Sequence, residues 1–360
     1  MKSVASFALG CKVNQAESEA VAEAFADKGY EIKNIDEAAD IYVINTCAVT
    51  NFGDKKSRQL LRKVKRLNPN AIVVASGCYA QVESDVVSAI DEVDIVVGTK
   101  GRHNIVDAVE KYIEDRQKVC LVGDIMHERD FEPISVRKLA GRARAYIKIQ
   151  DGCSQYCSYC IIPYARGPIR SRDEEDILKE VKNLALNGFK EVVLTGIHVA
   201  SYGKDNHKTD LLSLIKRVNS IEGIERIRLS SVEPNIVTEE FARYLSQMPK
   251  VCNHFHLSLQ SGCNKTLKAM NRRYDTEKYM DSVNLLRKYM PDCGITTDII
   301  VGFPGETEED FAQSCEFAKK VNFSKIHVFP YSPKKGTPAA AMKNQICIFC
   351  QATSLRFVFL

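Results

Sequence analysis

Residues 150–172, QDGCSQYCSYCIIPYARGPIRSR, concentrate the groups in this chain that could do chemistry. Cys153, Cys157 and Cys160 place three thiols within eight residues. Three thiolates that close can hold three corners of one iron–sulfur cube. The fourth iron is then left without a protein ligand, and an open metal position can bind and activate a second molecule. Arg166, Arg170 and Arg172 follow, with Gly167-Pro168 as a turn between them. Fixed cations there suit a carboxylate or a phosphate. Two plainer readings are a zinc knuckle and three uninvolved thiols. A structural zinc site wants four ligands, usually as two CxxC or CxxH pairs. The nearest downstream candidates, His198 and Cys252, stand in no paired spacing.

Cys-x3-Cys-x2-Cys, with Tyr159 before the last cysteine, resembles the signature of the radical S-adenosylmethionine (SAM) enzymes. In that family the open iron chelates the amino and carboxylate groups of SAM. An electron from the cluster then splits a carbon–sulfur bond and gives a 5′-deoxyadenosyl radical. The protein's share is to hold, orient and shield the cofactor. The wording DGC, CSYCIIPYARG, RSR is narrower. It resembles the methylthiotransferase branch, which inserts sulfur into a C–H bond and caps it with methyl.

These residues need a scaffold. The 360 residues, 45% hydrophobic, suffice for two domains with their own cores. No run approaches the roughly 20 apolar residues of a membrane span. The opening MKSVASFALGCKVNQ reads as a first strand rather than a secretory signal. Thirteen cysteines without an export signal argue for reduced thiols and metal ligation in the cytoplasm rather than a disulfide framework. Cys120, Cys252, Cys263, Cys293 and Cys315 are expected to be ordinary buried thiols. The net charge of +4 does not by itself demand a nucleic-acid partner.

Over residues 1–115, apolar segments at 4–9, 40–46, 71–76 and 94–98 alternate with helical ones. This predicts a doubly wound, mostly parallel sheet. A helix is expected over 14–28, with Asn14 as N-cap, Glu17 three positions on and Gly29 as the stop. Cys11, Cys47 and Cys78 each follow a strand, Gly10 and Gly77 turning the chain before two of them. In an open parallel sheet such strand ends share one rim, where ligands bind. Three cysteines buried independently at strand ends are the plainer alternative. DKKSRQLLRKVKRLNP, between the second and third of these cysteines, reads as a helix with Leu60, Val64 and Leu67 toward the core. Lys55, Arg58, Arg62 and Arg66 line another face, with Lys56, Lys63 and Lys65 beside them. Seven cations against Asp54 alone make a stripe suited to phosphates, though lysine-rich faces are often simply solvated.

Residues 116–140 read as a linker, within which 119–122 form a small strand that closes the first domain. From 141 to 345 the alternation resumes, with strands expected at 145–150, 191–194, 226–229, 254–259, 295–301 and 325–329. Helices are expected at 174–186, 211–218, 239–248, 276–288 and 308–320. Six such units predict a partial, open (β/α)6 barrel, whose chemistry gathers at the C-terminal strand ends. The Cys153/Cys157/Cys160 loop follows the first strand. Thr195 to His198, Ser230 to Glu233, Gln260 to Gly262, the GFPGET loop from Gly302, and Tyr331, Ser332 and Lys335 follow the others. Thr307 and Asp310 look like an N-cap pair. His256, inside HFHLSLQ, is read as a packed histidine rather than a ligand.

Further blocks extend the resemblance to residues 1 to about 345. LGCKVNQAES, NTCAVTN and SGCYAQ resemble the amino-terminal methylthiotransferase domain, which implies a second 4Fe–4S cluster on Cys11, Cys47 and Cys78. SSVEPNIV, HLSLQSG, MNRRY and TDIIVGFPGET resemble blocks around bound SAM. That implies Glu233 at the ribose or methionine end, Gln260 on the ribose side and Arg272 on the carboxylate, with Tyr159, Gly196 and Gly302 beside them. Thr195-Gly196-Ile197 stands where many radical SAM enzymes have Gly-Gly-Glu, so backbone carbonyls would meet the SAM amino group. GCKVNQAES resembles the branch acting on threonylcarbamoyladenosine in tRNA, rather than those acting on isopentenyladenosine or on a ribosomal protein. Implied are methylthiolation at C2 of the modified adenosine beside the anticodon and a flavodoxin- or ferredoxin-type electron donor. The sulfur donor stays open, and a cytoplasmic monomer without membrane association is expected. RNA contacts would fall to Lys55, Arg58, Arg62, Arg66, Arg166 and Arg170. Family members usually continue into a small RNA-gripping β-barrel, the TRAM domain. Here 346–360 read as an atypical tail with a lone Cys347/Cys350 pair, which would weaken RNA binding. A different class of protein, a non-catalytic iron–sulfur RNA binder or an inactive shortened form, is the remaining alternative.

Overall fold

Buried aliphatic strands and amphipathic helices alternate through two α/β halves. The computed structural model describes residues 2–132, 134–135 and 143–346. In the first half β1 (Ser3–Ala8), β2 (Glu31–Ile32), β3 (Ile41–Thr46), β4 (Ile72–Gly77), β5 (Ile95–Val97) and β6 (Val119–Leu121) form one sheet, in the order β2-β1-β3-β4-β5-β6. All its pairs are parallel. The connecting helices are α1 (Lys12–Asp27), α2 (Asn51–Leu67), α3 (Cys78–Val82), α4 (Ser84–Ser88) and α5 (Ile105–Asp115). Helices cover both faces, so every residue of β3 and β4 is buried. One face packs Tyr42, Ile44, Leu61, Val64 and Val73, the other Val4, Phe25, Val43, Val74 and Val109. The strand order reverses between β1 and β3, which opens a crevice at their C-terminal ends.

Two expectations for this half need correction and a third holds. α1 starts at Lys12, with Cys11 at the cap. Asn14 instead donates to the carbonyls of Leu9 (2.8 Å) and Thr46 (3.1 Å), tying the helix to the ends of β1 and β3. On α2 the buried row is Ser57, Leu61 and Val64, while Leu60 is partly buried and Leu67 exposed. β6 pairs with β5, so the small strand expected at 119–122 does close the first sheet.

In the second half β7 (Arg144–Asp151), β8 (Arg170–Ser171), β9 (Glu191–Gly196) and β10 (Arg226–Leu229) form a sheet in the order β10-β9-β7-β8. β11 (His254–His256), β12 (Gly294–Val301) and β13 (Lys325–Pro330) form another. Only β8 runs antiparallel among these pairs. Single parallel bridges, Ile227 to Val251 and Val232 to Leu257, link the two sheets. Six parallel strands thus succeed one another, β7, β9, β10, β11, β12 and β13, and β7 does not pair with β13 among the described residues. This is the expected open (β/α)6 arrangement. Helices α6 (Ile162–Arg166), α7 (Glu174–Leu186), α8 (Leu211–Asn219), α9 (Glu239–Ser246), α10 (Asn264–Ala269), α11 (Thr276–Tyr289) and α12 (Glu308–Val321) intervene. Their inner faces and the strands share one core that includes Ile147, Leu194, Ile227, Phe255, Leu286 and Ile295. Thr307 and Asp310 do form a reciprocal capping box at the start of α12.

Among the described residues the halves meet at several seams, one of them where α6 packs against α3 and the Ala165 carbonyl accepts from Thr99 (2.6 Å). α1 lies against β7, where Lys148 bonds Glu17 at 2.7 Å. At the start of α2, the Asn51 amide donates to Ser332 Oγ (3.0 Å), its side chain donates to the Pro333 carbonyl (3.0 Å), and Asp54 pairs with Lys334. No helix among the described residues is long and apolar enough to cross a membrane. Cys347, Cys350 and the rest of 347–360 lie outside the described residues, as do 136–140 of the segment read as a linker and 141–142 at the start of the second domain.

Candidate metal centres

Cys11, Cys47 and Cys78 follow β1, β3 and β4, three adjacent strands of one parallel sheet, so topology alone brings them to one rim. Gly10, at φ +95°, sits where a Cβ would lie 2.7 Å from Cys47 Sγ. Its lack of a side chain is what lets the first turn pass over the second thiol. Gly77, at φ +97°, would put a Cβ 2.1 Å from Asn45 Oδ1. Cys47 and Cys78 are buried and Cys11 is exposed, so the rim opens outward at Cys11. Burial, with Cys78 and Cys11 nearby, pushes the Cys47 thiol up to about 12. Burial pushes Cys78 up as well. A metal displaces such a proton outright.

The second set lies in the loop after β7. Gly152, at φ +70°, has no room for a Cβ, which would fall 1.7 Å from the Pro168 carbonyl. The loop closes on itself, the Cys153 amide bonding Gly167 O (3.0 Å) and the Cys160 amide bonding Cys157 O (2.9 Å). Burial raises Cys153 to about 11 and Cys160 to about 12. The other residues expected near SAM converge here unevenly. Arg272 donates to Cys157 Sγ (3.1 Å), Glu233 Oε1 (3.0 Å) and the Tyr274 hydroxyl (2.9 Å). Glu233 also lies 3.3 Å from His198 Nε2. Burial alone would raise the Glu233 carboxyl, but the bond and charge of His198, with Arg272, hold it below its ordinary value. Tyr159 packs with Met270, Phe303, Tyr331 and Ala339 under the cysteine loop. Gly196 abuts Gln150, whose Oε1 accepts the His198 amide (2.8 Å). Gln260 adopts φ +70° and pairs through its backbone with Asp298 and Ile300. The Gly302 amide donates to Glu306, which burial pushes up to about 7.

Arg166 and Arg170, read as RNA contacts, are a correction. Both are buried, at 0% and 2% exposure, and cannot reach a substrate phosphate. They belong to a charge network between the halves that also holds Glu17, Arg102, Glu132, Lys148 and Asp151. Arg172 is likewise turned inward onto Glu180. Burial alone would raise Glu17, yet Arg102, Arg166 and Lys148 together hold its carboxyl well below the usual range. One sequence signal pointed to the network though not to its arginines: Lys148 interrupts the otherwise apolar strand AYIKI, and a buried strand carries a charge only when it is paired. Among the other cysteines, Cys120 is exposed and Cys252 and Cys315 partly so, which corrects the expectation that all five were buried.

The remaining cations do reach solvent. Lys55, Lys56, Arg62, Lys63 and Arg66 of α2 are exposed, while Arg58 is partly buried and donates to the Tyr79 hydroxyl (2.7 Å). Lys65 is tied to Asp94 and the Ala71 carbonyl. Lys56, Arg62, Lys63 and Arg66 border a groove of about 590 Å³ whose floor includes Phe7 and Leu9, just ahead of Cys11.

Two sets of three free thiols, each with one buried arginine donating to a sulfur, fit a pair of three-thiolate clusters. Among the described residues no three His, Cys, Asp or Glu side chains converge on a single ion. Residues 147–318 match the radical SAM superfamily, and residues 3–98 match an uncharacterized protein family, UPF0004. The threonylcarbamoyladenosine tRNA methylthiotransferase MtaB of Bacillus subtilis is 46% identical over 347 residues, 96% of this chain and 77% of that protein. The tRNA-2-methylthio-N(6)-dimethylallyladenosine synthase of Clostridium tetani is 38% identical over 94% of this chain and 76% of its own length. Among solved structures, the radical S-adenosylmethionine methyltransferase TsrM of Kitasatospora setae superposes with a TM-score of 0.60 at 16% identity, covering 91% of this chain and 73% of that one, a likeness of fold. With relatives this similar over most of both lengths, the chain belongs to the radical SAM methylthiotransferase family.

Proposed function

We propose that this protein transfers a methylthio group to C2 of N6-threonylcarbamoyladenosine beside the anticodon of tRNA. It uses two 4Fe–4S clusters and SAM. The observation that carries the reading is the pair of thiol triads, one at the strand ends of each half, in a chain 46% identical to a relative bearing that activity's name. Cys153, Cys157 and Cys160 hold the cluster that binds SAM, and Cys11, Cys47 and Cys78 hold the other. The bound clusters and SAM supply one-electron chemistry, which the non-acidic C2–H bond requires and no side-chain base could replace.

The chain's own residues bind and orient. Glu233, fixed between His198 and Arg272, presents a carboxylate at the ends of β10 and β9. Three of the five N–H donors of Arg272 are committed within the protein, which leaves two to meet a carboxylate. Tyr159 supports the cysteine loop from below, Gly196 and Gly302 keep two strand ends open, and Gln260 lines a third. Lys55, Arg58, Arg62 and Arg66 contact the tRNA backbone. A flavodoxin- or ferredoxin-type donor supplies electrons to a monomeric cytoplasmic enzyme.

Nucleoside analysis of tRNA from a deficient strain expressing this chain tests the substrate. Methylthiolated threonylcarbamoyladenosine supports the proposal. Methylthiolated isopentenyladenosine would move the chain to the second reading, which the Clostridium tetani relative favours. Neither product, with no 5′-deoxyadenosine formed from SAM by anaerobically reduced protein, would overturn both.

A further inference from the structure

Arg166 sits six residues after Cys160, at the end of the short helix α6 that leaves the SAM-side cysteine loop. Its side chain crosses to the other half. Nε donates to Cys78 Sγ at 3.2 Å. Nη1 donates to Glu17 Oε1 (2.8 Å) and Asp151 Oδ1 (3.0 Å), and Nη2 donates to Asn14 Oδ1 (2.7 Å) and Glu17 Oε2 (3.0 Å). All five N–H groups of the guanidinium are therefore engaged, by groups from both halves and one sulfur. The orientation is over-determined. Asn14 is itself tied to the ends of β1 and β3, the Ala165 carbonyl accepts from Thr99 (2.6 Å), and Gly167, with no room for a Cβ beside the Ile125 carbonyl, turns the chain just after.

The charges around it are uneven. In this buried network Arg102, Lys148, Arg166 and Arg170 face Glu17, Glu132 and Asp151. Among the described residues these four arginines and lysines meet three carboxylates, and the Cys78 sulfur is a further acceptor that Arg166 reaches. A buried cation without a counter-charge is costly, so a thiolate at this place completes the network.

We infer that Arg166 is a positioning residue for the amino-terminal cluster: it donates an N–H···S bond to the Cys78 thiolate, raises that cluster's reduction potential, and ties its placement to the loop carrying the SAM-side cysteines. This rests on the two-cluster reading above. A hydrogen bond from a fixed cation favours the more negative, reduced form of a cluster. Because the arginine is carried by the other cluster's own loop, its side chain links the two metal sites while each keeps its own three thiols.

The test uses the full chain, purified anaerobically, with Cys153, Cys157 and Cys160 all changed to Ala so that one cluster remains to be read. About four irons per chain are expected from the remaining three thiolates. In that background Arg166→Gln and Arg166→Lys are compared with Arg102→Lys, which alters the same network without touching a thiol. Redox titration followed by electron paramagnetic resonance should show the potential moved to more negative values in both Arg166 variants. The shift should be smaller in Arg166→Lys, which keeps the charge, and absent in Arg102→Lys. Should Arg166→Gln fail to fold, Arg166→Lys against Arg102→Lys still decides. Four irons with an unmoved potential and unchanged spectrum in Arg166→Lys, or an equal shift in Arg102→Lys, would overturn this inference and leave the two-cluster reading intact. No iron in the triple-alanine background would overturn both.

Discussion

Gly77 turns the chain into Cys78 at φ +97° and ψ −161°, a region that essentially only glycine occupies. Another residue would lose roughly 1–3 kcal/mol to backbone strain there. Alanine adds a collision with Asn45 Oδ1 and with the Thr46 carbonyl, 2.7 Å from its Cβ. Because Thr46 immediately precedes Cys47, the collision disturbs two thiols of one set and none of the other. In Gly77→Ala the iron content should therefore fall from about eight toward about four per chain, the value for one three-thiolate cluster. Formation of 5′-deoxyadenosine from SAM should persist. Equal loss of both would mean that the two sets are not independent centres. At this scale the sequence was most legible where chemistry is local. The cysteine spacing and the glycines before Cys11 and Cys78 could be read directly. Arg166 could not, because nothing in ARGPIRSR says that its partner is Glu17, 149 positions away. A run of arginines looks the same whether it meets phosphate or a buried carboxylate.

Helix boundaries and faces depend on the same distinction. The capping box of α12 was legible, since both partners lie within one turn, Thr307 accepting from the Asp310 amide and Asp310 from the Thr307 amide. Thr307→Ala should cost about 1 kcal/mol, as N-cap losses do. Burial alone would raise the Asp310 carboxyl, but bonds from Lys265 and Thr307 bring it down to about 2. A depressed carboxyl contributes its stability above the unfolded value, near 4, and loses it as pH falls through the folded one. Urea midpoints of Asp310→Asn and the parent should thus be separated at pH 7 and draw together below about pH 4. The buried row of α2 was missed by one step, Leu61 standing in for Leu60, because periodicity fixes the spacing of a stripe and packing fixes its phase. That phase also decides which cations reach the groove, Arg62 lying 3.9 Å from Glu92 at its edge. Arg62 and Arg66 are exposed on the groove beside Phe7, whereas Lys65 is consumed by Asp94. Replacing Arg62 and Arg66 together by Ala should weaken tRNA binding and lower the slope of log affinity against log salt by about one per lost phosphate contact. An unchanged slope, measured by filter binding, would remove α2 from the RNA interface.

At the scale of the molecule, the α/β alternation of each half was legible, and the seams between the halves were not. Alternation is written in local hydrophobicity, whereas a seam is made by single residues far apart in the chain. Asp54 and Lys334 illustrate the case. Asp54, in the first turn of α2, follows Cys47 by seven residues, and its partner lies in the YSPKKGT segment after β13. Both side chains are largely buried, at 13% and 6% exposure, and Asn51 reinforces the contact through Ser332 and Pro333. Burial raises the Asp54 carboxyl above its ordinary value even with Lys334 pulling it down, so the pair is held by geometry against a desolvation cost. Removing one partner of such a pair leaves the other charge unpaired, a loss of about 3–5 kcal/mol, whereas replacing both is often close to neutral. Lys334→Met should therefore destabilise the chain strongly and Asp54→Asn/Lys334→Met much less. Function should separate from stability in the double variant. The segment that carries Lys334 also meets the SAM-side loop, Tyr331 packing with Tyr159 and the Ala339 amide bonding the Ser158 carbonyl, but the double variant leaves those contacts in place, so 5′-deoxyadenosine formation should continue. Methylthio transfer requires the two halves to keep a fixed spacing and should fall. Hydrogen exchange should rise at the start of α2 and around 332–337 while β3, β4 and β12 stay protected. Equal transfer by the double variant and the parent, at equal iron content, would show that the other contacts between the halves keep them in register without this pair.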